Sequence, residues 1–407
     1  MRSLRISTIL LFTICGFSLL FITSCKKDNC KPAPNVSDID VEIKIKRFDQ
    51  DFFSIIDTND IESSVKELYE KYPKFGSFYF QYLKMDPYSN KKLIEGLHYN
   101  DPKLVLQYFQ DFGYDFETMK NSIVKSYKTK IKNADDFVSL LGFDTETIYD
   151  TLFYKSINGF VNAPSTQLMK DTMELAYNDV SDLEEELTQA FKYYKHYMPE
   201  RETPEIYAMY SEFTNPIIGL PEDNIYVMSL DFFFGEEFGA YYKLTEPTPQ
   251  YLARTLYRNH MTSKVLQTMI NNMVSDSSAN SLLDYMIVNG KKRYILDKLL
   301  PCTADYIKYE CAPAQAEWMQ NNELQMWSEV FIDKLYDTNY KDFQKYIGPS
   351  PHSPDMPMEA PGNTGTYVGW KIVESFMTRN PNYSFEQMIK LDNSQEFLKK
   401  SNYKPKR

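Results

Sequence analysis

The sequence predicts an α+β fold, mostly α-helical, with a small sheet packed against helices. Three observations lead there. Glycine is scarce, 14 residues against 32 Tyr and 27 Phe, whereas sandwiches and barrels need a turn residue about every eight to twelve positions. Apolar side chains return at spacings of three and four through most of the 407 residues, the period of an amphipathic helix. Short alternating or β-branched runs are confined to a few places. The hydrophobic fraction of 43% supplies a large core, and a mean hydropathy of -0.47 excludes a multipass membrane fold.

Residues 1–24 read as a signal peptide, because Arg2 and Arg5 precede an apolar run from Ile9 to Ile22 that is short for a span of about 20 residues. The run ends in Thr23-Ser24-Cys25, which resembles the lipobox of bacterial lipoproteins. The expectation is a lipidated Cys25 and a body held in the cell envelope, facing the periplasm. Residues 25–40 contain Pro32 and Pro34, lack periodicity and read as a tether. Loss of Arg2 and Arg5 takes the net charge from -11 to -13, a sign that repels phosphate backbones and excludes a nucleic-acid partner. An acyl anchor rather than charge must then hold the chain at the membrane. Cys30 falls in the tether. Cys302 and Cys311 either close a disulfide in an oxidising space or stay as buried thiols.

Residues 41–407 are expected to form one large body. Val41-Glu42-Ile43-Lys44-Ile45-Lys46 alternates apolar and charged residues, the signature of a strand with one dry face. Residues 49–200 carry helical spacing, as in Leu104, Tyr108 and Phe112, and in a segment from Leu83 to Leu97 broken by Pro87. Residues 206–210 and 225–230 read as buried strands fenced by Pro204, Pro216, Pro221 and Gly235. Helices follow over about 251–274, 281–300 and 314–336, the second carrying an apolar stripe of Leu283, Met286, Ile287, Tyr294 and Ile295. A proline-rich loop spans 349–361, and a short helix runs from about 364 to 378.

Common catalytic loops are absent by spacing. No two glycines stand two or five apart, which removes G-x-G-x-x-G and the phosphate-cradling P-loop, and no G-x-S-x-G elbow occurs. The order of elements after residue 201 nevertheless resembles the zincin metallopeptidases, whose first helix offers H-E-x-x-H and whose second adds a third ligand. Here His260-Met261-Thr262-Ser263-Lys264 stands in that place, and Asn289-Gly290 replaces the Glu-Gly of the second helix. The general base is lost, and a cation at Lys264 would repel a metal. Residues 201–407 are therefore expected to be a degenerate zincin-like core without metal or cofactor, and His260, Lys264 and Asn289 its relic positions.

The chain further resembles the gliding-motility lipoprotein GldB family. The segments carrying the likeness are the lipobox at Cys25, residues 45–52 (Ile-Lys-Arg-Phe-Asp-Gln-Asp-Phe), 72–75 (Tyr-Pro-Lys-Phe), 230–236 (Leu-Asp-Phe-Phe-Phe-Gly-Glu), 249–252 (Pro-Gln-Tyr-Leu), 296–301 (Leu-Asp-Lys-Leu-Leu-Pro), 365–373 (Gly-Thr-Tyr-Val-Gly-Trp-Lys-Ile-Val) and 403–406 (Tyr-Lys-Pro-Lys). The resemblance implies a lipid-anchored envelope component of the gliding and type IX secretion machinery, without enzymatic activity, whose partners are other envelope proteins of that apparatus.

Gly365 and Gly369 stand one helical turn apart, which suits close approach of a second backbone. Two readings stay open: tight helix packing in the core, or a partner groove lined by Glu359, Gly365, Tyr367, Gly369 and Trp370. Asp231, Glu236 and Glu237 form an acidic set after the second buried strand and are candidates for catalytic carboxylates or ordinary charged loop ends. Three functions compete. They are a non-catalytic envelope lipoprotein acting through protein contacts, a metallopeptidase with a rearranged site, and a ligand-binding lipoprotein.

Overall fold

The computed structural model describes residues 30–85, 145–244 and 246–406. The signal peptide, Cys25 and the stretch holding Leu104, Tyr108 and Phe112 lie outside the described residues, as does the expected segment from Leu83 to Leu97 beyond Met85.

The alternating run begins a strand, β1 (Ile45–Arg47), that leads directly into helix α1 (Phe48–Ile55). Helices α2 (Ile61–Lys71), α3 (Phe75–Tyr82), α4 (Thr145–Asn162), α5 (Pro164–Tyr177) and α6 (Ser181–Tyr197) follow. The chain then enters β2 (Glu205–Met209), β3 (Ile217–Leu220) and β4 (Ile225–Ser229). The strands lie in the order β1-β2-β4-β3, with β1, β2 and β4 mutually parallel and β3 antiparallel on the edge. Ile43 and Ile45 are buried while Glu42 and Lys44 are exposed, as the alternation predicts. Only residues 45–47 pair with β2, because side chains of α6 take the preceding amides: Ile43 N–H donates to Thr188 Oγ1 at 2.9 Å and Ile45 N–H to Glu184 Oε1 at 2.9 Å.

Strands β2 and β4 are buried on both faces, which is why their sequences run almost continuously apolar instead of alternating. Tyr207 stacks on Phe75 of α3 at 4.4 Å, while Asn272, on the helix that follows the sheet, donates to the Tyr226 hydroxyl at 3.4 Å. Helices thus cover both faces. Edge strand β3 went unpredicted because Gly219 and its flanking prolines imitate a loop. A Cβ at Gly219 would stand 2.8 Å from the Asn272 amide, so glycine lets the helix lie against this edge.

The second half adds α7 (Met261–Met273), α8 (Leu282–Leu299), α9 (Asp305–Tyr309), α10 (Pro313–Asn321), α11 (Tyr340–Ile347), α12 (Thr364–Arg379), α13 (Phe385–Lys390) and α14 (Ser394–Ser401). The helix expected over 251–274 is interrupted. After one turn at Gln250–Ala253 the backbone leaves the helix, and the Leu256 carbonyl accepts from Gly235 N–H at 2.8 Å. The helix expected over 314–336 breaks at Asn322, whose side-chain amide donates to the Trp318 carbonyl at 2.8 Å and competes with the helical ladder. It resumes as wider turns over Met326–Phe331. Helix α8 starts where Ser281 and Asp284 form a reciprocal capping box.

Buried apolar residues from Ile43 to Phe397 form one contiguous core. Within it α8 and α12 cross closely, where Gly290 faces Gly369 and Trp370 and Gly369 faces the Met286 carbonyl. A Cβ on either glycine would fall inside the opposing peptide group.

The disulfide differs from the expected Cys302–Cys311 alternative: Cys30 bonds Cys302, and Cys311 is a buried free thiol. Proximity in sequence misled, since the partner of Cys302 lies 272 positions away. The segment read as a free tether is consequently fixed to the body from residue 30 onward. Lys31 Nζ lies 2.6 Å from Asp297 Oδ1 and 2.8 Å from Asp305 Oδ1, and its amide donates to the Pro301 carbonyl at 2.9 Å.

Candidate functional site

His260 ends the tight turn that precedes α7 rather than lying inside a helix. It is buried, and its Nδ1 stands 2.9 Å from Asn259 Oδ1. Burial disfavours the imidazolium and the nearby Lys264 ammonium repels it, so the pKa is pushed down to about 4 despite an opposing pull from Glu310. One turn further, Lys264 Nζ lies 2.5 Å from Glu310 Oε1. Burial raises the Glu310 carboxyl, but the charges of Lys264 and Arg293 and the hydrogen bond from Lys264 outweigh it and hold the group below the ordinary carboxylate range. Glu310 caps α9 in the left-handed conformation, with φ 57°, a region that costs a β-substituted residue energy and persists here under the Lys264 bond.

Asn289 and Gly290 divide their work. The Asn289 amide donates to the Ile347 carbonyl at 3.1 Å, while Gly290 admits the backbone of α12. Asn289 also lines a cavity of about 190 Å³ bounded by Gln267 of α7, Lys292 and Arg293 of α8, and Glu310. Arg293 Nη1 donates to Gln267 Oε1 at 2.8 Å and to the Lys308 carbonyl. The structure therefore brings His260 and Lys264 together around Glu310, and Asn289 onto the cavity where Glu310 forms part of the wall. Glu310, Arg293 and Lys292 were missed. For Lys292 and Arg293 the available signal was the spacing from Asn289, since positions three and four further along a helix share its face.

Among the described residues, no group of three or more His, Cys, Asp or Glu side chains is placed to hold a metal ion. Lys264 contributes an ammonium where a ligand would have to donate a lone pair.

The other candidates separate. Tyr367 and Trp370 are buried, and Glu359 is exposed on the proline-rich loop, so the expected groove does not form. Gly365 packs against the Tyr346 carbonyl and Gly369 against α8, and tight packing is what the glycines do. Trp370 is covered on its faces by Lys31 at 4.7 Å and Lys371 at 3.7 Å. Asp231 is fully buried at the end of β4 and accepts from Ser211 N–H at 3.1 Å and Phe213 N–H at 2.6 Å. These bonds hold the loop in which Glu212 and Phe213 adopt positive φ. Burial pushes its pKa up to about 6 against those hydrogen bonds. Glu237 is exposed and accepts from the Tyr257 hydroxyl at 2.8 Å, so it shares no site with the buried Asp231.

Two of the resembling segments meet in space. Arg47 grips Asp49 through Nε and Nη2 at 2.9 and 2.7 Å, Lys71 and the Tyr72 hydroxyl reach Asp51, and Phe48 packs on Tyr72 and Phe75 at 5.1 and 4.8 Å. At the other terminus, the Tyr403 hydroxyl and Lys406 N–H both donate to Glu323, at 2.9 and 3.1 Å.

The fold is an α+β body in which Lys264 and Glu310 form an ion pair beside the buried His260. The sequence model of the family described as gliding motility protein GldB matches residues 29–139 and 106–405, and the chain belongs to that family. Membership makes it a gliding-motility-related component of the cell envelope, in a family of motility proteins rather than a known enzyme family. Neither a curated protein nor a solved structure matches it. No helix among the described residues is long and apolar enough to cross a membrane.

Proposed function

We propose that this chain is a non-catalytic, lipid-anchored protein of the gliding motility and type IX secretion machinery, acting through protein–protein contacts. Family membership supports the process. The Lys264–Glu310 pair supports the absence of metal-dependent hydrolysis: the carboxylate that could serve a metal is neutralised by an ammonium at 2.5 Å. Anchoring rests on the signal sequence ending in Cys25. The position of Cys30 supports a short leash, since a disulfide to Cys302 leaves four residues, or five Cα–Cα steps, between an acylated Cys25 and the body. At about 3.3–3.6 Å per residue these reach less than roughly 18 Å.

Deletion of the gene with assays of surface spreading and of protein export tests the reading. Loss of either, restored by the wild-type chain and by a His260→Gln variant, is the expected result. Normal spreading and export in the deletion strain would remove the assignment.

A further inference from the structure

We propose that the cavity between α7, α8 and α12 binds a carboxylate carried on a peptide, with Lys292 and Arg293 as its anion-recognising pair. The inference deepens the protein-contact reading above by giving one contact its chemistry. Charge carries the first step. In a chain of net charge -11, this cavity gathers Lys292 and Arg293 against a single carboxylate, Glu310, which is already bonded to Lys264. His260 adds no negative charge. Asp276 acts on Lys292 from outside the lining, and the residues that line the cavity carry a positive balance.

Partnering carries the second step. Among the described residues Lys292 makes no hydrogen bond or ion pair, although it is half-buried and desolvation lowers its pKa. Asp276 attracts this ammonium without bonding it, and a half-buried ammonium without a bonded partner is costly and open to an anion that enters. Arg293 donates through Nη1 alone among the described residues, which leaves the Nε and Nη2 edge, a planar fork that matches a carboxylate. Asn363 and Thr366 complete the wall. The Thr366 hydroxyl donates to the Ile347 carbonyl at 3.0 Å, whereas the Asn363 side chain makes no hydrogen bond among the described residues. Asn363 is thus an amide suited to a peptide group.

Size and charge carry the third. A volume of about 190 Å³ is below the roughly 300 Å³ at which pockets accept whole drug-sized ligands, so it suits one end or one side chain of a larger molecule. A phosphate dianion would meet the Glu310 charge more severely than a carboxylate would, and this favours the carboxylate. The carboxylate can come from a chain terminus or from an Asp or Glu side chain.

Titration calorimetry on the full mature chain in detergent distinguishes these sources. The probes are an uncharged heptapeptide with a free C-terminal carboxylate, its C-terminal amide, the same amide carrying a central Glu, and inorganic phosphate. At least one carboxylate peptide is expected to bind roughly tenfold or more tightly than the plain amide and than phosphate, and Lys292→Met to weaken it by roughly tenfold or more. The peptide that binds identifies the source. A lysine with only a structural role would show the reverse pattern, with peptide binding unchanged. Since Lys292 makes no hydrogen bond or ion pair among the described residues, Lys292→Met is expected to fold with an unchanged or higher denaturation midpoint, and Lys292→Gln serves as the second variant. Equal binding of acid and amide, equal binding of phosphate, or undiminished binding by both Lys292 variants would overturn the proposal. Any of these leaves the deletion phenotype untouched, so the two readings fail separately.

Discussion

Lys264 Nζ and Glu310 Oε1 lie 2.5 Å apart, each side chain largely withdrawn from solvent. The pair joins the second turn of α7 to the left-handed cap of α9 and stands beside a histidine too desolvated to be charged at neutral pH. An ammonium bonded to a carboxylate has no lone pair to offer a metal ion.

Breaking this pair on one side should be expensive. Lys264→Met is expected to lower stability by about 2–3 kcal/mol, somewhat under the cost for a fully buried pair, because Glu310 keeps its charge with only Arg293 nearby. The double variant Lys264→Met/Glu310→Gln should recover most of the loss. Denaturant midpoints of the three proteins measure the coupling, and an additive result would show that the two groups do not depend on each other.

Glycines separate close packing from open space. Gly290→Ala and Gly369→Ala place a methyl inside the opposing backbone and should cost more than about 3 kcal/mol or prevent folding. Gly159, exposed within α4 with nothing near its missing Cβ, is the control: Gly159→Ala should stabilise by about 0.5–1 kcal/mol. Thermal unfolding of each variant checks the signs.

Much of this was legible in the sequence, and the failures have identifiable causes. Continuous apolar runs announced β2 and β4, and the Gly365/Gly369 spacing announced a backbone crossing. Its partner, Gly290, was visible as a residue but not as a contact, because the crossing joins elements 79 positions apart. Strand β3 was hidden by Gly219 and its prolines. Glu310 was invisible because its role depends on the turn after α9 rather than on any helical period. The acidic set failed for another reason: Asp231 serves the loop at 211–213, and proximity in sequence did not bring Glu237 with it.

Acidification should reveal His260. Its folded pKa of about 4 lies below the unfolded 6.5, so the unfolded chain binds more protons between these values. The contribution to stability is complete above pH 6.5 and is lost as pH falls toward 4. Asp231, raised from 3.8 to about 6, acts in the opposite sense over an overlapping range and is common to wild type and variant. His260→Gln should therefore lose about 2–3 kcal/mol less than wild type between pH 7 and pH 4. Parallel pH profiles would show that His260 is solvated.

The covalent tie at the N-terminus has its own test. Peptide mapping of the unreduced mature chain should recover Cys30 linked to Cys302, with Cys311 alkylated only after unfolding. Cys30→Ser should lower stability by about 2–4 kcal/mol, as expected for a bond closing a long loop, and should loosen Lys31 from Asp297. Recovery of a Cys302–Cys311 peptide would contradict the arrangement.

The metal content of the full mature chain, purified with zinc present throughout, tests most directly whether an ion pair has replaced a catalytic centre. Zinc well below one ion per chain, unaltered by His260→Gln, is the predicted outcome. One tightly held tetrahedral zinc per chain that disappears with His260→Gln would contradict it and return the protein to hydrolysis.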